Sequence, residues 1–139
     1  MGSHRKRGKL LLKRGIRLSK GQLQWIIPDG YIPPTSSGQL ESHESICVLN
    51  LSGEEVTVTV NAFFEDREPL LGMVTTVGGQ RTKHIRTAHL NADGNYIPKG
   101  IPYAMEVTGS APIFVQYSRL DSTQAENALM SVMGYPVQE

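Results

Sequence analysis

The segment Val-Thr-Val-Thr-Val-Asn-Ala, residues 56–62, alternates apolar and polar side chains with a period of two. Successive side chains of a β-strand point to opposite faces, so this alternation predicts a half-buried antiparallel strand. The apolar run at residues 46–51 predicts a second strand, and Ser52-Gly53-Glu54 between the two predicts a turn. The two strands are therefore expected to form a hairpin.

Further strands follow from the same kind of pattern. They are predicted at residues 23–27, 72–77, 81–87, 103–107 and 113–120. Gly78-Gly79 predicts a tight connection between two of them, and Gly109-Ser-Ala-Pro112 is a turn-like sequence before the last. About seven or eight short strands, separated by loops rich in Pro, Gly, Asn and Ser, predict an all-β fold, either a sandwich or a barrel.

Residues 121–133 break this period. Asp121-Ser-Thr-Gln124 resembles a helix capping box, in which Asp121 accepts hydrogen bonds from backbone N–H groups and Gln124 reaches back. Residues 125–133 then contain good helix formers. We expect at most one short helix near the C-terminus, and the alternative is a final strand that begins near Leu129.

The composition restricts the class of protein. A length of 139 residues suits one domain with one core. No run of about 18 apolar residues is present, so no membrane-spanning helix is predicted. Cys47 is the only cysteine, which excludes an internal disulfide and makes a reducing, cytoplasmic setting the simplest expectation.

The charge of the chain is unevenly distributed. Residues 1–20 hold eight of the fourteen Lys and Arg residues and none of the thirteen Asp and Glu residues. The rest therefore has six basic against thirteen acidic residues, a net charge of −7, although the whole chain carries +1. The sequence thus divides into a flexible basic tail at residues 1–20 and a single acidic domain at residues 21–139.

The basic tail has three interpretations. Clustered Lys and Arg residues are typical of an arm that binds nucleic acid or anionic lipid. Met1-Gly2-Ser3-His4 is also typical of a cloning remnant or of a start codon placed too early, in which case the tail is not native. The third possibility is a short ordered edge strand.

No signature of catalysis is present. The sequence lacks a glycine-rich phosphate loop that opens a helix, a nucleophile elbow and a two-histidine zinc helix, so we expect no enzyme activity and no cofactor. His43, His84 and His89, with Glu44 or Asp93, could supply three metal ligands. Their spacing is not that of a ligand motif, and His43 and Glu44 would point to opposite faces of a strand. We therefore expect no metal site.

The predicted strand at residues 81–86 carries polar side chains on both faces. Arg81 and Lys83 share one face with Ile85, whereas His84 and Arg86 lie on the other. One interpretation is a solvated edge strand whose charges prevent pairing with other chains. The other is a polar groove or subunit contact in which Arg81 or Arg86 pairs with carboxylates.

A second set of polar residues lies on the strand at 113–120 and its exit. Tyr117, Arg119 and Asp121 share one face, and Gln116 and Ser118 lie on the opposite face. The simplest expectation is an ion pair between Arg119 and Asp121 that fixes the end of the strand. In a closed cleft, the same side chains would orient a polyhydroxylated ligand.

Trp25 is the only tryptophan and lies close in sequence to the loop that contains Tyr31. An aromatic ring with a polar edge suits either a core or the stacking surface of a sugar site. For this tryptophan we expect a place in the core.

Four stretches of the chain resemble the sensory rhodopsin transducer family, in the family's order and at compatible distances. They are Trp25-x-Ile-x-Asp-Gly-Tyr-Ile-Pro-Pro34, Ser42-His-Glu-Ser-Ile-Cys-Val-Leu-Asn50, Arg81-Thr-Lys-His-Ile-Arg86 and Pro112-Ile-Phe-Val-Gln-Tyr-Ser-Arg-Leu-Asp-Ser-Thr-Gln-Ala-Glu-Asn-Ala-Leu129. The last stretch is long and specific, and residues 1–20 lie outside the resemblance.

The resemblance implies a single antiparallel, jelly-roll-like β-sandwich of about eight strands, assembled as a cyclic homotetramer. It implies a non-catalytic signalling module with two kinds of partner, a membrane receptor such as a sensory rhodopsin and a small, sugar-like polar ligand. The resemblance also implies a link to DNA binding, made for the founding member of the family, which the acidic domain of this chain weakens. The resemblance implies these candidate ligand-binding residues: Trp25, Tyr31, His43, Glu44, Asn50, Arg81, His84, Arg86, Gln116, Arg119 and Asp121.

Overall fold

A computed structural model of the chain describes residues 20–124 and 126–138. Within these residues the chain forms strands and a single three-residue 3-10 turn at Thr87–His89. The strands are β1 (Gln22–Gly30), β2 (His43–Asn50), β3 (Val56–Phe64), β4 (Leu70–Val77), β5 (Arg81–Arg86), β6 (Asn91–Ala92), β7 (Asn95–Tyr96), β8 (Tyr103–Asp121), β9 (Ala128–Met133) and β10 (Tyr135–Pro136).

Strand β8 is the centre of the architecture. It is 19 residues long, and its two halves belong to different sheets. The first half pairs with β1 and β3, which gives the order β4-β3-β8-β1-β10, and the second half pairs with β2 and β9, which gives the order β5-β2-β8-β9. Both sheets are antiparallel. The prediction of an all-β antiparallel sandwich is confirmed.

The bend of β8 lies between its two halves. Gly109 is required there, because a Cβ atom at this position would lie 2.5 Å from the carbonyl oxygen of Ala111. The sequence predicted two separate strands at 103–107 and 113–120 with a turn between them. The structure instead has one continuous strand, since each half finds neighbours on both sides. The register with β1 shifts at the bend, between the pairs Gln22–Ile113 and Gln24–Thr108.

The core lies between the two sheets and follows the alternation of the sequence. In β3, Val56, Val58 and Val60 point inward and are almost fully buried, as the period of two predicted. They meet inward side chains of β8, among which Val107 and Val115 are also fully buried. Burial of each such side chain stabilises the fold by about 1.5–3 kcal/mol.

The predicted hairpin of β2 and β3 is not formed. Strand β2 pairs with β5 and β8, while β3 pairs with β4 and β8. Consecutive strands here lie in different sheets, and the turn at Ser52-Gly53-Glu54 connects the sheets instead of closing a hairpin. The N–H of Gln80 donates to the carbonyl of Ser52, so this turn packs against the turn between β4 and β5.

The short helix expected at residues 125–133 is wrong, and the alternative of a terminal strand is correct. Strand β9 pairs with the second half of β8, with Leu129 opposite Leu120. Asp121 accepts hydrogen bonds from the N–H and the hydroxyl of Thr123, so its capping chemistry serves a local turn. The tertiary pairing of β9 therefore outweighs the helix propensity of the segment.

The proposed basic tail lies outside the described residues except for Lys20. In the described part of the chain, no helix has the length and apolar character needed to cross a bilayer.

Candidate functional site

A buried carboxyl group lies at the end of the sandwich where β2 begins. Along β2, residues 44, 46, 48 and 50 point inward, so Glu44 enters the core while His43 faces outward. The side chain of Glu44 has 0% exposure. A carboxylate without partners would be costly in this position, so the hydrogen-bond partners of Glu44 decide whether it is charged or protonated.

Several donors surround the Glu44 carboxyl. The backbone N–H of Tyr31, just after β1, donates to Oε2 at 2.5 Å. The hydroxyl of Tyr103, at the start of β8, donates to Oε1 at 2.5 Å, and the hydroxyl of Tyr117 donates to Oε2. Arg119 Nε lies 3.3 Å from Oε2 and completes an ion pair. This Glu44 cluster is formed from β2, both ends of β8 and the loop after β1.

Opposing effects act on the protonation of the Glu44 cluster. Burial raises the pKa of Glu44 above its ordinary value, and the Tyr103 hydroxyl, the Tyr31 amide and the Arg119 charge act in the other direction. Burial raises the pKa of Tyr103 well above the ordinary tyrosine value, and the charge of Glu44 adds to that effect. Tyr103 therefore remains a hydrogen-bond donor at neutral pH.

Arg119 is the part of the cluster that solvent can reach. Its side chain is 20% exposed, and its guanidinium carbon lies 5.9 Å from the ring centres of both Tyr31 and Tyr117. Its Nη2 atom is buried and has no hydrogen-bond partner among the described residues. The expected ion pair with Asp121 is wrong, because Arg119 pairs with Glu44. Glu44 is fully buried, and a buried carboxylate without a countercharge costs more free energy than a partly exposed one such as Asp121.

Two further predicted residues have structural contacts. Trp25 lies in the core, as expected, with 4% exposure, and its indole N–H donates to the carbonyl of Ile113 at 2.9 Å. The side-chain amide of Asn50 is buried and donates to the carbonyls of Val77, Gly78 and Glu54, which ties two turns together. Both side chains use their polar atoms within the protein.

Three other candidate ligand-binding residues on β2 and β8 do not contact the Glu44 carboxyl. His43 Nδ1 contacts the carbonyl of Glu41 at 2.9 Å. The amide of Gln116 donates to the hydroxyl of Ser131 at 2.6 Å and so links β8 to β9. Asp121 is engaged in the turn with Thr123.

A second group of polar residues lines an open cleft between the outer strands β4 and β5. Its volume is about 270 Å³, and we call it the polar cleft. The apolar side chains of the lining are Val74, Ile85 and Leu90, and the polar ones are Thr75, Lys83, His84, Arg86, His89 and Asn91. The cleft exists because β4 and β5 are the end strands of different sheets on the same side of the sandwich.

The polar cleft joins two predicted residues, His84 and Arg86, with residues that the prediction missed. Lys83 Nζ donates to Thr75 Oγ1 at 2.8 Å and to the carbonyl of Thr76 at 3.0 Å, so it reaches from β5 to the opposite sheet. Arg81 lies outside the lining and donates to carbonyls of its own turn. Strand β5 is thus an edge strand of the described chain and also one wall of a cleft.

A smaller number of polar groups lines a second cleft at the Tyr103 end of β8. It has a volume of about 320 Å³, and its exposed features are the ring of Phe63 and the carboxylates of Asp29 and Glu65. In residues 20–124 and 126–138, no three His, Cys, Asp or Glu side chains come together as a metal site.

Strand β9 has the most exposed apolar side chains of the described chain. Leu129 is 76% exposed and Val132 is 52% exposed, although the two point to opposite faces. All six residues of β9 are exposed, so within the described chain both of its faces meet solvent. We call this exposed area the β9 surface, and its apolar residues are Leu129, Met130, Val132, Met133 and Tyr135.

Comparisons with known proteins agree with this architecture. The crystal structure of Thermotoga maritima 1070 has 33% sequence identity and a TM-score of 0.75, and the match covers 85% of this chain and 97% of that one. The structure of the Anabaena sensory rhodopsin transducer has 39% identity and a TM-score of 0.66, with 76% of this chain and 94% of that one covered. No functionally curated protein sequence matches the chain.

The family comparison covers most of the chain. Residues 20–136 match the family described as Anabaena sensory rhodopsin transducer. This range includes the Glu44 cluster, the polar cleft and the β9 surface. The chain therefore belongs to the Anabaena sensory rhodopsin transducer family.

Proposed function

We propose that this protein is a cytoplasmic, non-catalytic signalling module that binds a small, sugar-like polar ligand and passes its state on through a homo-oligomer. The observation that carries the proposal is the polar cleft, which joins side chains of β4 in one sheet to side chains of β5 in the other. A ligand in this position contacts both sheets, so its binding can change their relative stability.

The chemistry of the polar cleft supports binding of a polar metabolite. Ligand sites commonly combine an apolar floor with a few polar groups that fix orientation. Here Ile85 and Leu90 supply buried apolar surface, while Thr75 and Asn91 add uncharged donors and acceptors. The buried carboxyl of Glu44 supports the absence of catalysis, because a side chain with 0% exposure cannot contact a substrate in this conformation.

A ligand screen by thermal denaturation tests the binding function. We expect at least one monosaccharide, sugar acid or sugar phosphate to raise the melting temperature, because a ligand that binds only the folded state stabilises it. Arg86→Ala should remove this shift, whereas Arg67→Ala, which changes an exposed arginine outside the cleft, should not. No shift with any sugar, or the same shift in Arg86→Ala, would contradict the proposal.

The β9 surface supports the homo-oligomer. A monomer rarely exposes a contiguous apolar patch larger than a few hundred Å². One edge of β9 pairs with β8, and side chains on both of its faces are exposed, so other copies of this chain can cover both faces in a tetramer. We propose that the partner is another copy and that the assembly is a homotetramer.

Light scattering after size exclusion tests the assembly. Wild-type protein should have the mass of a tetramer at micromolar concentration. Leu129→Glu and Val132→Glu should each lower the mass, because a charge would then be buried in the interface, while Leu71→Glu serves as a control at an exposed position far from β9. A monomeric wild-type protein contradicts this part of the proposal.

The name of one solved relative connects it with a sensory rhodopsin. We therefore include a membrane receptor of that kind among the proposed partners of this chain. Co-purification of the tagged protein with a rhodopsin from the same genome tests the connection. The Leu129→Glu variant then shows whether assembly is needed for docking.

A second candidate function is nucleic-acid binding through residues 1–20, which hold eight basic residues and no acidic one. Binding should then depend strongly on salt and should be lost when these residues are deleted. Equal DNA affinity of the full and the shortened chain would remove this candidate.

A further inference from the structure

We propose that the polar cleft binds an oxyanion, and specifically the phosphate group of a small phosphorylated metabolite. This inference rests on the proposed ligand-binding function and narrows its ligand from polar molecules in general to phosphate monoesters. The groups that would hold the phosphate are Lys83 and Arg86, with His84, His89, Asn91 and Thr75 around them.

The distribution of charge is the first reason. Residues 21–139 carry only six basic against thirteen acidic residues, yet three of the six, Arg81, Lys83 and Arg86, lie on β5. Among the residues that the structure describes, the lining of the polar cleft contains no carboxylate. In the described chain Arg86 has one acidic partner, Glu41, whose Oε2 is 3.8 Å from Arg86 Nη1, and the two side chains are 40% (Arg86) and 65% (Glu41) exposed. Such a pair contributes little, so the positive charge of the cleft is mostly uncompensated.

The direction of Lys83 is the second reason. A lysine that only prevents edge pairing would extend into solvent. Lys83 instead turns across the gap between the sheets and donates to Thr75 Oγ1 and to the carbonyl of Thr76. An ammonium group has three N–H donors, so one proton is still free for an anion. The bonds to β4 hold this charge at the wall of the cleft.

The number of donors favours phosphate over carboxylate. A phosphate monoester carries up to two negative charges and three terminal oxygens, and it accepts several charge-assisted hydrogen bonds from different directions. Lys83 and Arg86 lie on opposite faces of β5, yet both line the same cleft. A volume of about 270 Å³ lies near the lower limit for ligand sites and suits a small metabolite.

Isothermal titration calorimetry tests the inference on the full-length protein in a low-salt buffer free of phosphate and sulfate. The probes are glucose 6-phosphate, inorganic phosphate, gluconate and glucose. We expect glucose 6-phosphate and inorganic phosphate to bind more tightly than gluconate, and glucose to give no signal. Lys83→Gln and Arg86→Gln should each weaken phosphate binding by about ten- to a hundredfold, as expected for one charge-assisted hydrogen bond.

Two control variants make the result specific. Lys99→Gln removes an exposed charge outside the lining and should leave the affinity unchanged. Lys83→Arg keeps the charge and should retain most of the binding, and melting temperatures without ligand show whether each variant is folded. If Lys83→Gln does not fold, Arg86→Gln carries the test. Phosphate binding that is equal in wild type and Arg86→Gln overturns the inference.

Other outcomes separate this inference from the proposed function. If glucose binds and Phe63→Ala, in the second cleft, abolishes that binding, the inference is wrong while ligand binding by the domain stands. If no sugar, sugar acid or phosphate binds, both are wrong. Tight binding of a 20-base-pair DNA duplex, with the same loss in Lys83→Gln, would overturn the inference in favour of nucleic-acid phosphates.

Discussion

The substitution Arg119→Met removes the guanidinium group beside the buried Glu44 carboxyl and keeps an unbranched stem against Tyr31 and Tyr117. At the observed separation of 3.3 Å, a unit charge pair with an effective dielectric constant of about 20 attracts by about 5 kcal/mol. Water compensates part of this loss, because Arg119 is 20% exposed, and Glu44 keeps its other donors. We expect the free energy of unfolding to fall by about 3 kcal/mol at pH 7.

The loss should depend on pH in a defined direction. Burial raises the pKa of Glu44 in the folded protein, and Arg119 opposes this rise, so the variant has the higher folded pKa. Between the two folded pKa values the variant binds more protons than the wild type. The difference in unfolding free energy therefore grows as pH rises through that window, and it is smallest below the ordinary glutamate pKa of 4.5, where both folded forms are protonated.

Urea denaturation, followed by the fluorescence of Trp25 at fixed protein concentration, measures these differences at pH 4 and pH 7. The set of proteins is wild type, Arg119→Met, Glu44→Gln and the double variant. The double variant should be more stable at pH 7 than Arg119→Met alone, because no buried charge is then left unpaired. A loss below about 1 kcal/mol for Arg119→Met at both pH values, or strict additivity of the single losses, would refute the reasoning.

Three further outcomes follow from local contacts. Asn50→Ala should lower the free energy of unfolding by about 2 kcal/mol. Asn50→Asp should lower it more at pH 7 than at pH 4, because a carboxylate would face the buried carbonyl of Val77, and an equal loss relative to wild type at both pH values would contradict this. Gly79→Ala should cost about 1–3 kcal/mol, since its Cβ would lie 2.5 Å from the carbonyl oxygen of Gly53, whereas Gly53→Ala meets no atom within 4 Å and should be tolerated. Burial raises the pKa of Cys47, so its thiol should react slowly with a disulfide reagent at pH 7 until urea unfolds the chain.

The strands of this protein were largely predictable from sequence because their alternation is local. Val56, Val58 and Val60 are inward in the structure as the pattern indicated. The partners of the strands were not predictable in the same way. The turn at residues 52–54 was correctly placed, but nothing in a period of two tells whether the next strand returns to the same sheet or enters the other. The continuous course of β8 is also decided by its neighbours.

The Glu44 cluster shows the same limit at the level of side chains. The sequence indicated that Glu44 and His43 point to opposite faces, and Arg119 was among the candidate ligand-binding residues. The pairing of Glu44 with Arg119 spans 75 positions, and the contact with Tyr103 spans 59, so no local pattern reports either. Asp121 was the nearer partner in sequence, and the choice of Glu44 depends on burial, which only the fold determines.

The sequence predicted one wall of the polar cleft, strand β5, but not the residues around it. The mixed polarity of residues 81–86 indicated either an edge strand or a groove, and the structure unites these two interpretations at β5. His89 lies in the 3-10 turn after β5 and Asn91 begins the two-residue strand β6, and neither belongs to a periodic pattern in the sequence. Thr75 comes from the other sheet, so its place opposite Lys83 results from the packing of the sheets.

The shared strand β8 limits how this molecule can move. Both sheets take their register from one backbone, so a slip of one residue along β8 would turn Val107 and Val115 away from the interior at the same moment. The sheets therefore cannot slide past each other as independent bodies. The outer strands β4, β5 and β9 pair on one side only in the described chain, so they can shift without changing the register of β8. These are the strands that form the polar cleft and the β9 surface.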